Sequence, residues 1–318
     1  MSRSLFQALL PAGFEVPAEP VAVGWSGGAD STALLLALQA AGADVRAWHV
    51  DHAWRPESAA ECEMLAERAK AWGIACHAAR LAVPAGRNRE AEARHGRCRQ
   101  FAAWGAEQGV RRLFLGHHRE DQAETVFLRL LQGSGVAGCR GMHAVREMAG
   151  LSIERPLLAV HRTTLVAALR NTGVGWLEDG SNGDLTLKRN HIRCTVFPAM
   201  RRAGVEPTEL FTRWALQAER LTGELETAAA AALLETGNGQ VRIGWKAWQE
   251  SSPAVRARLL QRMTSGLFGD GITPGRRHIL LAESWTQAGG YGGLDLSGCR
   301  LERVNSSLHL RPAGAMLR

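Results

Sequence analysis

With 318 residues, 46% of them hydrophobic and 22% charged, the chain is long enough for about two ordinary domains, each with a buried core. Its longest apolar run, Ala33 to Leu38 with its alanine neighbours, falls far short of the roughly 20 residues of a membrane span, and Met1 to Gly13 lacks an unbroken apolar signal core. A cytoplasmic protein with no membrane partner is expected; six cysteines without a C-x-x-C pair argue against a zinc site or disulfide framework, and a net charge of +7 favours a polyanionic partner.

Short apolar runs alternate with longer helical patterns through the first half, as in a doubly wound, mostly parallel α/β sheet. Strands are expected at Val21 to Trp25, Val45 to Val50, Ile74 to Ala79 and Arg112 to Gly116. Between them, Ser31 to Ala41 is apolar almost all round and should lie against the sheet, whereas Glu57 to Trp72 and Arg89 to Gln108 mix apolar and charged positions as covering helices do. The texture changes beyond Thr208. An alanine-rich helical stretch, Leu216 to Glu235, ends at Thr236-Gly237-Asn238-Gly239 and reads as a connector. Helices at Ala254 to Met263 and Gly275 to Gln287, then strand-like runs at Arg300 to Val304 and Ser307 to Arg311, suggest a smaller α+β domain. The expected division is 1–215 and 216–318.

Ser26-Gly27-Gly28-Ala29-Asp30-Ser31 is the strongest single feature. A strand-to-helix turn in a parallel sheet lies at the carboxyl edge, where ligands bind. Two glycines would allow positive φ, and the helix N-terminus adds free N–H donors, so phosphate is the expected ligand. The loop has neither the Lys of a Walker motif nor G-x-G-x-x-G spacing. His49-Val50-Asp51-His52 closes the second strand and emerges at the same edge.

Leu115-Gly116-His117-His118-Arg119-Glu120-Asp121-Gln122-Ala123-Glu124-Thr125 leaves the fourth strand and opens a helix. Asp121 and Glu124, three apart, share a face of its first turn, with Val126, Phe127, Leu130 and Leu131 expected on the buried face. Such acids can simply be favoured by the helix dipole, or they can hold a cation beside the nucleotide. Glu90, Arg94 and Arg97 fall at i, i+4 and i+7 of the preceding helix, which suits either a solvated ion pair or a positive clamp. Leu185 to Val205 carries Lys188, Arg189, Arg193, Arg201 and Arg202 with no acid.

S-G-G-x-D-S after a first strand resembles the PP-loop ATP pyrophosphatases, of adenine nucleotide α-hydrolase-like fold. The ordered set Ser26 to Ser31, His49 to His52 with Arg55, Glu90 to Arg97, Leu115 to Gly135, Glu178 to Asn182 and Lys188 to Arg193 resembles the tRNA(Ile)-lysidine synthetase family over residues 20–200. The H-H-x-x-D-Q-A-E-T string discriminates best, because sibling PP-loop enzymes share the phosphate loop without it.

The resemblance implies ATP bound by Ser26, Gly27, Gly28, Ala29, Asp30 and Ser31, with Val50, Asp51, His52, Gly116 and His117 completing the nucleotide site. It implies catalytic roles for Asp30, Arg97, Asp121 and Glu124, with lysine held by Asp121 and Glu124, and Mg2+ brought with ATP and touched by Asp30. Apart from the resemblance, the basic residues themselves suggest tRNA gripped by Lys188, Arg189 and Arg193 with Asn190 buttressing that loop, and Arg256, Arg258, Arg262, Arg276 and Arg277 of the second domain reaching further along it. The reaction implied is adenylation of the wobble cytidine of a tRNA(Ile) with a CAU anticodon, followed by attachment of L-lysine. Rivals are a tRNA-thiolating PP-loop enzyme, which would carry C-x-x-C pairs, a nucleotide or NAD amidotransferase-type synthetase, and a non-catalytic RNA-binding module. Monomer and homodimer both stay open.

Overall fold

A computed structural model describes residues 2–51, 58–81, 89–178, 187–232, 234–269, 274–296 and 298–313, with the side chains of 2 and 89–91 outside the description. The chain divides into two compact units, 1–217 and 218–318.

In the first unit, α1 (Ser2–Gln7) precedes β1 (Val21–Gly24), α2 (Ala29–Ala41), β2 (Val45–Asp51), α3 (Ser58–Ala71), β3 (Ala75–Arg80), α4 (Arg89–Gln108), β4 (Arg112–Leu115) and α5 (Arg119–Leu131). From β1 onward these strands and helices match the expected ones to within a few residues, whereas α1 was not among them. A short hairpin follows that the sequence reading did not include, β5 (Val145–Met148) and β6 (Leu151–Glu154), and then α6 (Arg162–Asn171). The sheet order is β3-β2-β1-β4-β6-β5, parallel except for the antiparallel edge strand β5.

Valine and alanine side chains fill β1 and leucines fill α2, so this strand and helix are buried almost completely. Leu34, Leu35, Leu38, Leu65, Phe114 and Leu165 form the core on one face. Trp48, Phe101, Trp104, Leu113 and Ile153 form it on the other, with Trp48 and Phe101 stacked at 5.8 Å. Strand order reverses at β1, which has β2 on one side and β4 on the other. A doubly wound sheet opens a crevice beyond the carboxyl ends of its strands at such a switch point. The loops leaving β1 and β4 therefore face one another.

From Lys188 on the chain is helical: α7 (Lys188–His191), a π turn at Ile192–Val196, α8 (Phe197–Arg202) and α9 (Pro207–Ala230). Val126, Ile192, Phe197 and Phe211 pack together, with Phe127 and Phe211 5.1 Å apart, and hold α5 against this layer. Leu130 and Leu131, expected in the core, are exposed. The buried residues of α5 are Gln122, Ala123, Glu124, Thr125 and Val126, in its first half.

The second unit is a five-stranded antiparallel sheet, order β7-β8-β11-β10-β9, formed by β7 (Glu235–Gly237), β8 (Gln240–Gly244), β9 (Gly293–Leu296), β10 (Cys299–Val304) and β11 (Ser307–Pro312). With it come α10 (Trp245–Glu250), α11 (Pro253–Phe268) and α12 (Arg276–Gln287). Trp248, Leu259, Met263, Leu301, Leu308 and Leu310 form its core. The Asn238-Gly239 step, expected to end a connector, is instead a hairpin turn between β7 and β8. Both residues have positive φ, 52° and 68°, as a two-residue hairpin loop demands.

Candidate functional site at the crevice between β1 and β4

Two side chains pin the glycine loop from within. Ser31 Oγ accepts from the Ser26 N–H (3.2 Å) and donates to Gly28 O (3.2 Å). Thr32 Oγ1 donates to Gly27 O (3.3 Å) and accepts from Trp25 Nε1 (3.0 Å) in the buried interior. The first backbone bond of α2 runs from Thr32 N–H to Gly28 O (3.0 Å), so the N–H groups of Ala29, Asp30 and Ser31 lie in the helix's opening turn, where no intrahelical acceptor exists. Only Gly27 of the two glycines has positive φ, at +81°. Gly28 has φ −70° and serves as N-cap, so the expectation of two left-handed glycines is corrected. A Cβ on Gly27 would also lie 2.8 Å from Leu65 and Leu177 side-chain carbons.

Gly116 sets the spacing between the facing loops. A Cβ there would be 2.9 Å from the backbone C and O of Asp30 and the N of Ser31. Only glycine allows the end of β4 to touch the first turn of α2, and that contact brings the α5 signature to the phosphate loop.

His118, N-cap of α5 and 2% exposed, is the joint. Its Nε2 lies 3.7 Å from Asp30 Oδ2 and 3.3 Å from Asp121 Oδ2, while Nδ1 donates to Glu120 Oε2 at 3.0 Å. Burial alone would lower the imidazole pKa, but Glu120, Asp121 and Asp30 together raise it. Glu120 would likewise be raised by burial. Hydrogen bonds from His118, His161 and the Arg162 N–H instead bring it down to about 2. His161 continues to Glu209 on α9 (3.4 Å), which also takes Arg119 (2.6 Å).

His117 behaves oppositely. Desolvation, opposed by Asp121 and reinforced by the positive Arg155, Arg189 and Arg97, lowers it to about 4, so it is neutral at physiological pH. Its Nδ1 accepts from Arg155 Nε at 3.3 Å. Arg97 is lowered by desolvation and by neighbouring Arg94.

The acid pair is not open. Glu124, whose side chain is 1% exposed, accepts two hydrogen bonds from Arg193, Nε at 2.7 Å and Nη2 at 3.0 Å. Arg193 Nη2 also reaches Asp121 Oδ1 at 3.2 Å. Burial raises the Glu124 carboxyl, and the Arg193 hydrogen bonds act against that rise. Sequence reading set Arg193 on tRNA; in the fold it sits in the π turn and closes the carboxylates. Its neighbours divide as well, with Arg189 Nη2 donating to Thr125 Oγ1 (2.8 Å), Asn190 buried and Lys188 exposed.

Val50 and Asp51 lie past the last ladder pair of β1 with β2, Gly24 with Trp48. Asp51 is buried and accepts from Ser58 Oγ (3.0 Å), anchoring α3. His52, Arg55, the Glu90 side chain and Asp179 to Asn182 lie outside the described residues. In the second unit, Arg256 is buried and paired through two nitrogens with Glu283, and Arg258 and Arg262 pair with Glu226. Those three are structural ion pairs here, whereas Arg276 and Arg277 are exposed.

His118, Glu120, Arg155, His161 and Arg162 belong to the site although none was singled out from sequence. The first two sit inside the conspicuous string. The others lie just after β6 (Arg155) and at the start of α6 (its N-cap His161 and first residue Arg162), and no local spacing links them to the loop.

Residues 2–200 match the model of the PP-loop domain. A tRNA(Ile)-lysidine synthase of Hyphomonas neptunium is 34% identical over 309 residues, 92% of this chain and 81% of its own. The Thermus thermophilus protein of that name is 36% identical over 273 residues, 84% of this chain and 52% of its own, so the chain spans about half the length of that relative. A solved U34-tRNA thiolase from Methanococcus maripaludis superposes with a TM-score of 0.54 at 14% identity, covering 69% of this chain and 77% of that one, a likeness of fold. With the domain match running through most of the first unit and relatives extending it into the second, the chain belongs to the tRNA(Ile)-lysidine synthase family of PP-loop proteins.

Proposed function

We propose that the chain is an ATP-dependent ligase that joins L-lysine to C2 of the wobble cytidine in a tRNA(Ile) with a CAU anticodon. The cytidine 2-oxygen attacks the α-phosphorus of ATP, the bond to the bridging oxygen breaks, and pyrophosphate leaves. The lysine ε-amine then adds at C2, the C2–O bond breaks, AMP departs with that oxygen, and the amine releases one proton. The observation that carries the reading is the meeting of Asp30 from the phosphate loop and Asp121 from the α5 signature on the single imidazole of His118.

The N–H groups at the start of α2 and the charge of Arg97 would stabilise the negative oxygens that develop during adenylation. Asp121 would receive the amine proton, and Glu124 would act through Arg193 by holding it in place. A magnesium ion suits Asp30, whose Oδ1 is buried without a hydrogen-bond partner. The ion would be carried in on phosphate oxygens. Such an ion would supply positive charge to the leaving pyrophosphate. Lys188 and the 216–318 domain would contact tRNA backbone.

Exchange of labelled pyrophosphate into ATP, measured with and without unmodified tRNA(Ile) transcript, tests this reading. Exchange that requires the transcript is expected. Its absence under both conditions would fit an RNA-binding module and end the ligase proposal.

A further inference from the structure

Arg162 opens α6, and nothing in the sequence connected it with the phosphate loop. Its backbone N–H donates to Glu120 Oε2 at 3.0 Å, and Glu120 is held in turn by His118 and His161, each at 3.0 Å. The start of α6 is thereby fixed to the α5 signature. From this base the guanidinium extends across the crevice to Asp30, with Nε 3.3 Å from Oδ1 and 3.5 Å from Oδ2.

That contact is loose. Oδ1 of Asp30 has no hydrogen-bond partner although it is buried, and the Arg162 side chain is 47% exposed. Arg193, by contrast, is committed to two carboxylates. A guanidinium weakly bound to one acid and reaching over an anion-binding loop is free to exchange that acid for a stronger anionic partner, and its planar fork matches phosphate oxygens. Asp30 needs a counter-charge as well, since a bare carboxylate beside a polyphosphate would repel it.

Resting on the ligase reading above, we propose that Arg162 is a positioning residue for the leaving pyrophosphate: it neutralises Asp30 before nucleotide binds and transfers its guanidinium to the departing phosphates once nucleotide is in place. Arg162 would hold the product in the exchange direction and orient it in the forward one, with no covalent part in the reaction.

Two measurements test the assignment. Calorimetric titration with inorganic pyrophosphate, with and without Mg2+, should show Arg162→Ala binding about tenfold or more weakly than wild type, with Arg162→Lys between them. Arg170→Ala, at the exposed far end of the same helix, should match wild type. In the tRNA-dependent exchange reaction, Arg162→Ala should raise the pyrophosphate KM by a similar factor while lowering kcat less. Equal pyrophosphate affinity for wild type and Arg162→Ala, or no binding by either, overturns the proposal. Arg162-dependent pyrophosphate binding by a protein that shows no exchange would instead sink the ligase reading and leave the anion site standing.

Discussion

Glu124 and Arg193 are joined at two points, Nε to Oε1 at 2.7 Å and Nη2 to Oε2 at 3.0 Å, across 69 residues of sequence. The carboxylate is buried and the guanidinium 39% exposed, so the pair is partly screened from one side. Glu124→Gln keeps the shape, loses the charge-assisted bonds and should cost about 1–3 kcal/mol. Differential scanning calorimetry should show a Tm lower by several degrees. An unchanged Tm would mean that the carboxylate contributes nothing to holding α5 against the π turn.

Asp121 keeps more access than Glu124, and its Oδ2 receives the His118 N–H at 3.1 Å. Asp121→Asn preserves that acceptor while removing the proton-accepting charge. Lysine transfer should fall by about a hundredfold or more, as for loss of a general base, with pyrophosphate exchange retained. Full transfer by the variant would remove Asp121 from the amine step.

Gly116→Ala introduces a methyl 2.9 Å from the Asp30 and Ser31 backbone. Backbone cannot yield as a side-chain end can, so the loops must separate, at about 1–3 kcal/mol. Loss of ATP affinity should accompany the loss of stability. Gly175→Ala, which meets open space, is the control. Equal ATP affinity in the Gly116 variant and wild type would contradict the close-contact account.

Acid should loosen the site through Glu120. Its folded pKa of about 2 lies below the ordinary 4.5, so the stability it contributes is complete above pH 4.5 and is lost as pH falls towards 2. At about 1.4 kcal/mol per pH unit this reaches about 3 kcal/mol. His118 works in the other sense, its raised pKa giving stability at low pH that is lost as pH rises through the folded value. Urea unfolding of Glu120→Gln across pH 5 to 2 should therefore show a flatter acid slope than wild type. Superimposable slopes would show that the three hydrogen bonds to Glu120 are not linked to folding.

Salt dependence separates the basic residues of α7 and the π turn after it. Lys188 is exposed, whereas Arg193 serves the carboxylates. Lys188→Ala should reduce the salt slope of tRNA binding by about one and leave ATP affinity unchanged. An unaltered slope would remove Lys188 from the phosphate contacts.

Most of the first sheet was legible because period and punctuation agreed. Val21 to Trp25 is apolar and is followed at once by paired glycines, and Ser31 to Ala41 is apolar on every side because α2 is buried on every side. The hairpin of β5 and β6 was not. Its strands are four residues each, β5 is a largely exposed edge, and its two-residue turn Ala149-Gly150, with φ 50° and 80°, has alanine where Asn or Asp usually stands. Asn238-Gly239 did carry the standard hairpin signature, masked by the alanine-rich helix before it. At the site, the string around Asp121 pointed to the right edge of the sheet, but charge state and access depended on Arg193 and Arg162. Their partners are remote in sequence, and pairing of that kind leaves no mark in local spacing.

The most direct test of the central claim is to incubate the protein with ATP, labelled L-lysine and unmodified tRNA(Ile) transcript, digest the RNA to nucleosides and look for label on cytidine. Labelled lysidine from the wild type, dependent on ATP and lost with Asp30→Asn, is the predicted result. Label that appears without ATP, or persists in full in Asp30→Asn, would contradict the assignment of the crevice between β1 and β4 as the place where the base is activated.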